Sequence, residues 1–127
     1  MKKCILLYGF NNFQMQQVKN AFIMRNFEVT SVQEEQYGWL IGELVGEYEI
    51  KEVHETGITI PGKMAVVSGV EESEMADVFE LLTKTTGKLA YHKAVVTDTN
   101  KNWTSARLFM EVDREYREIK RMQKYKR

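Results

Sequence analysis

The chain has 127 residues, 43% hydrophobic and 28% charged, with 18 lysines and arginines against 18 aspartates and glutamates. That length and apolar content suit one globular domain with its own core and exclude a disordered chain. The charge balance excludes a strong overall field toward nucleic acid or an anionic membrane, and no run approaches the ~20 apolar residues that span a bilayer.

The N-terminal "MKKCILLYGF" begins like an export signal, but its apolar run ends at Phe10 and "NNFQMQQ" follows, too short for an export core. Cys4, the only cysteine, lies inside that run and reads as a small buried hydrophobe in a reducing compartment. The expectation is a cytoplasmic protein. "CILLY" is a short apolar run of the kind that forms strands covered on both faces, and Gly9 ends it at a sharp turn. Met15, Val18 and Phe22 then recur at helical spacing. "FEVTSV" alternates apolar and polar, which predicts an edge strand or one covered on a single face. Near Trp39 a second helix is expected, with Leu40, Leu44, Val45 and Tyr48 as its stripe.

A connector over 50–61 follows, with a possible extra strand at Ile58 to Ile60 and the only proline, Pro61, at its end. "MAVVS" then repeats the strand signal, Gly69 repeats the turn, and Met75, Val78, Phe79 and Leu82 predict a helix that Gly87 closes. "KAVVT" is the next strand. Leu108, Phe109, Val112, Tyr116 and Ile119 predict a long final helix that opens near Trp103, with Asn102 as its cap.

The two halves align with each other. Lys3 meets Lys63, Gly9 meets Gly69, Met15 meets Met75 and Val18 meets Val78; beyond a small insertion, Val32 meets Val96, Trp39 meets Trp103 and Leu44 meets Leu108. The chain therefore reads as a single domain, 1–127, made of pseudo-repeats 1–49 and 62–121. The expected fold is α/β: a four- to five-stranded, mainly parallel sheet of order 2-1-3-4, with helices on both faces and an axis along the strands relating the copies. A ferredoxin-like α+β sandwich, with the copies paired antiparallel and the helices on one side, is the alternative.

Three places are candidates for chemistry. Gly9 and Gly69 each precede a helix N-terminus at a strand end, where open parallel sheets bind ligands, although neither loop is a phosphate cradle. The loop "TDTNKNW" offers Thr97, Asp98, Asn100 and Trp103, residues that equally serve turns and caps. The C-terminal "REYREIKRMQKYKR" concentrates Arg117, Lys120, Arg121 and Lys124, with Lys126 and Arg127 beyond, as a basic surface or a solvated helix end. His54 and His92 have no metal-ligand spacing, and no acid–base pair can be named from the sequence, so the expectation is against an enzyme, a cofactor or a metal. The leading reading is a binding or regulatory domain that acts through protein–protein contacts, as a homodimer or with a protein partner; nucleic acid is disfavoured. The competing reading, a small-ligand sensor or enzyme, requires the Gly9, Gly69 and Thr97–Trp103 loops to converge on one pocket.

"KAVVTDTNKNW" followed by "ARLFMEVDREY", with "MAVVSGVEESEM" upstream, resembles the small bacterial proteins of domain-of-unknown-function family 3783. The resemblance is strongest from Lys63 to Tyr116 and rests on Lys93, Ala94, Thr97, Asn100 and Trp103; the first half is similar through "LLYGF". It implies a compact bacterial cytoplasmic protein and carries no activity with it.

Overall fold

The structure, a computed structural model, describes residues 1–125. Strands β1 (Cys4–Tyr8), β2 (Glu28–Ser31), β3 (Met64–Ser68) and β4 (His92–Val95) form one open sheet in the order β2-β1-β3-β4. Helices α1 (Asn12–Phe22) and α3 (Glu72–Thr86) follow the central strands, while α2 (Ile41–Leu44) and α4 (Ser105–Tyr125) follow the edge strands. No strand forms at 58–60; Ile58 and Ile60 pack against the core as irregular chain.

Both central strands are buried along their whole length, which explains their unbroken apolar runs. Ile5, Leu7, Ala65 and Val67 face a layer with Val18 and Phe22 of α1 and Val78 and Leu82 of α3. Leu6, Tyr8, Met64 and Val66 face the opposite layer with Tyr37, Ile41, Val45, Leu108 and Phe109. The helices therefore cover both faces of an α/β sheet. Between the layers, the Tyr8 hydroxyl shares a 2.6 Å hydrogen bond with Ser105 Oγ, tying β1 to the first turn of α4. Burial pushes the Tyr8 hydroxyl pKa well up, so that it stays neutral.

β1 and β2 are parallel, as are β3 and β4, but β1 and β3 run antiparallel, so the axis expected along the strands is corrected to one normal to the sheet. α2 is a single turn spanning about 6 Å, against about 17 Å for a five-residue strand, and the irregular connector after it does not return along the sheet. The chain instead starts β3 at the end where β1 and β2 stop, with Met64 opposite Tyr8. The ladder centres on Leu6 opposite Val66, and an isolated antiparallel bridge pairs Leu40 with Thr104.

The connector is held by one buried carboxylate. Glu43 accepts hydrogen bonds from the backbone N–H groups of Leu40 (2.8 Å) and Lys51 (2.7 Å) and from His54 Nε2 (2.8 Å). The His54 ring stacks on Trp39 at 4.7 Å between centroids. Burial pushes the Glu43 pKa up, but the hydrogen bonds from Lys51, His54 and Leu40 outweigh it and hold the carboxyl below its usual range.

Candidate functional site at the cleft between β4 and α4

The antiparallel centre separates the two glycine loops. Gly9 lies where β3 begins, beside Gly62 and Lys63, whereas Gly69 lies where β1 begins, against the backbone of Lys2 and Lys3. Gly9, Gly69 and the Thr97–Trp103 loop therefore do not converge on one pocket, and the reading that required this is corrected. The helix starts are also occupied by the chain itself. Asn11 and Gln14 form a reciprocal capping box at α1, and Glu72 and Glu74 fill the first turn of α3, with Glu74 3.3 Å from the Lys3 ammonium.

The Thr97–Trp103 loop uses its polar groups on its own backbone. The Asn100 side chain, buried at 8% exposure, donates to the Val95 carbonyl (2.9 Å) and accepts from the Thr97 N–H (2.8 Å). His92 and Val96 donate to β3, so β4 turns Lys93 and Val95 outward, and Asn100 takes the place of a further strand at the end of that edge. Thr97 Oγ1 accepts from the Asn100 N–H. Asn102 does not cap α4: it accepts from the Tyr48 hydroxyl and donates to the Asp98 carbonyl, while Thr104 supplies the cap by accepting from the Arg107 N–H. Asp98 projects into solvent, 3.5 Å from the Lys101 ammonium, and Trp103 packs on the core beneath the Arg107 guanidinium.

Beside this loop a groove of about 260 Å³ runs between the outer edge of β4 and α4, past Thr97, Asn100 and Trp103. It adjoins a larger cleft of about 670 Å³ under the middle of α4, from Phe109 to Ile119, and the two share Lys93, Val112 and Glu115. The floor of the larger cleft is Pro61, Leu89, Phe109, Val112, Tyr116 and Ile119. Its polar centre is a relay: Arg117 Nε donates to Asp113 Oδ2 at 2.7 Å, and His92 Nε2 donates to Asp113 Oδ1 at 2.9 Å. The Arg117 and His92 bonds hold the Asp113 carboxyl below its usual range. Phe109 and Tyr116 meet the His92 ring edge-on at 5.1 and 5.3 Å, which fixes its orientation.

Of the expected basic surface, Arg117 serves this relay and Arg121 pairs with Glu118. The Lys120 ammonium lies 5.0 Å over the Tyr116 ring, and Lys124 is exposed. Lys126 and Arg127 lie outside the described residues. The relay could not be found in the sequence, because His92 and Asp113 stand 21 positions apart and meet only when α4 folds over β4. No group of three His, Cys, Asp or Glu side chains is placed to hold a metal among the described residues, nor is any described helix long and apolar enough to cross a membrane.

No curated protein and no solved structure matches the chain. Residues 63–119 match a family described as a domain of unknown function, DUF3783. That segment contains β3, α3, β4 and most of α4, and with them all the residues lining the cleft except Pro61 and Gly62. The segment 63–119, a little under half of the chain, is thus a DUF3783 domain.

Proposed function

We propose that the protein is a contact domain that docks another polypeptide in the β4–α4 cleft and along the exposed half of α4. One observation carries this reading: an apolar stripe that continues off the folded body. Phe109, Val112, Tyr116 and Ile119 share one helix face, yet burial ends at Phe109 and every residue from 114 to 125 is exposed. Tyr116 and Ile119, at 47% and 58% exposure, look into an open cleft with an apolar floor. Contiguous apolar surface of that kind marks interaction sites, whereas single exposed apolar residues do not. A cytoplasmic setting belongs to the same proposal, and Cys4 as a buried free thiol suits it.

The same reading gives the halves different tasks. We take 1–49 and 62–121 as two copies of one unit, joined by 50–61. Leu6 pairs with Val66 and Leu40 with Thr104, which are the residues matched in the sequence alignment. Val32 donates to Leu7 as Val96 donates to Val67, and Gln36 caps the Gln33 N–H as Asn100 caps that of Thr97. The first copy, with its one-turn α2, is scaffold; the second, with α4, carries the contact surface.

Analytical ultracentrifugation tests the docking. A trace of labelled protein is expected to sediment faster in a lysate of its own cells than in buffer, and Ile119→Asp to restore the buffer value. Equal sedimentation in both media contradicts the reading. In buffer alone, a monomer–dimer equilibrium abolished by Ile119→Asp would identify the partner as a second copy, the homodimer expected from the sequence.

A further inference from the structure

We propose that the occupant of the cleft is an acidic segment of another protein, with carboxylates interspersed among apolar side chains; this rests on the docking role assigned to the cleft above. The argument follows the ion pairs. Around the cleft and the exposed half of α4, most carboxylates are already neutralised: Glu111 by Arg114, Asp113 by Arg117 and His92, and Glu118 by Arg121. The lysines are not. Among the described residues Lys63, Lys93, Lys120 and Lys124 have no carboxylate partner, and Glu115 is the only carboxylate there without a cation. Lys63 donates to the Gly9 carbonyl, while Lys93 and Lys120 lie over the Tyr91 and Tyr116 rings.

Two uncompensated ammonium groups, Lys63 and Lys93, thus line the cleft, a third, Lys120, sits over its Tyr116, and Lys124 lies one turn further along α4. An acidic segment gains charge complementarity at the rim and buries apolar side chains on Leu89, Tyr116 and Ile119. A nucleic acid fits less well. The Glu115 carboxylate, which has no cation, lines the cleft and opposes a continuous run of phosphates more than carboxylates spaced among apolar side chains. Lys93, midway along a short edge strand, also opposes pairing with its own copy in a second chain, because two lysines would then lie side by side.

The test pans a phage-displayed library of random peptides against the full-length protein at low salt. Enriched peptides should carry Asp or Glu beside Leu, Ile or Phe. Their affinity for Lys93→Glu/Lys120→Glu should fall more than about tenfold, and it should fall again as salt screens the rim. Both lysines are exposed, so this variant is expected to fold, as circular dichroism would verify. Three results overturn the proposal: enrichment of basic or uncharged sequences, no enrichment, or acidic peptides that bind the variant equally well. So do binding of a uridine oligonucleotide that the variant loses, and a homodimer that the variant dissolves. If the acidic chemistry fails while Ile119→Asp still changes sedimentation in lysate, the docking role stands and only the occupant is wrong.

Discussion

Asn100 engages its whole carboxamide with the backbone at the end of β4, one arm on Val95 and the other on Thr97. Asn100→Ala leaves both backbone groups unpaired in a half-buried place and should cost about 2–3 kcal/mol in urea unfolding. Asp98→Ala, in the same loop but projecting into solvent, should cost less than about 0.5 kcal/mol. Equal effects would contradict the assignment of the loop to architecture. Glu43 allows a pH test. Its carboxyl titrates below its ordinary value of 4.5, so its stabilisation is fully present above that pH and is lost as the pH falls through the lower folded value. Glu43→Gln should lower stability at pH 7 by about 1–3 kcal/mol and flatten the loss on acidification below about pH 4.5. Urea melts at neutral and acid pH read both effects, and an unchanged acid slope would remove Glu43 as the clasp of the connector.

At the scale of elements, two equivalent turns separate conformation from packing. Gly9 and Gly69 both have φ of +76°, but a Cβ at Gly69 would lie 2.6 Å from the Lys2 carbonyl oxygen, whereas at Gly9 the nearest atom is Lys63 Cγ at 3.4 Å. Gly9→Ala should therefore cost about 1–2 kcal/mol, the conformational penalty alone, and Gly69→Ala at least about 3 kcal/mol. Comparable costs in equilibrium unfolding would contradict this packing. The need for glycine was legible in the sequence; the crowding at Gly69 was not, because Lys2 is brought there by the antiparallel pairing. The same limit governs the rest of the fold. Periodicity and the matched halves predict four or five strands, the order 2-1-3-4 and helices on both faces. The axis they suggest along the strands was wrong, because strand direction across the centre depends on the path of the irregular connector, which has no periodicity to read. Leu40, Leu44, Val45 and Tyr48 have helical spacing, yet the helix stops at Leu44 and Tyr48 instead hydrogen-bonds Asn102. In the candidate site, Trp103, Thr97 and Asn100 were legible as a landmark loop. The His92–Asp113–Arg117 relay was not, since it depends on the angle at which α4 crosses β4.

Across the whole molecule, a nearly symmetric sheet supports an asymmetric surface. On the proposed reading, the first copy closes the core and holds the connector through Glu43, while the second extends α4 for about 18 Å of exposed helix over an open cleft. The account stands or falls on whether that exposed face meets another chain. The most direct measurement is in-cell photo-crosslinking with p-benzoylphenylalanine in place of Ile119, and in place of Met24, which is 89% exposed on the opposite layer, as the comparison. The account predicts a discrete higher-mass adduct from position 119 and none from position 24. No adduct at 119, or the same adducts from both positions, would contradict it.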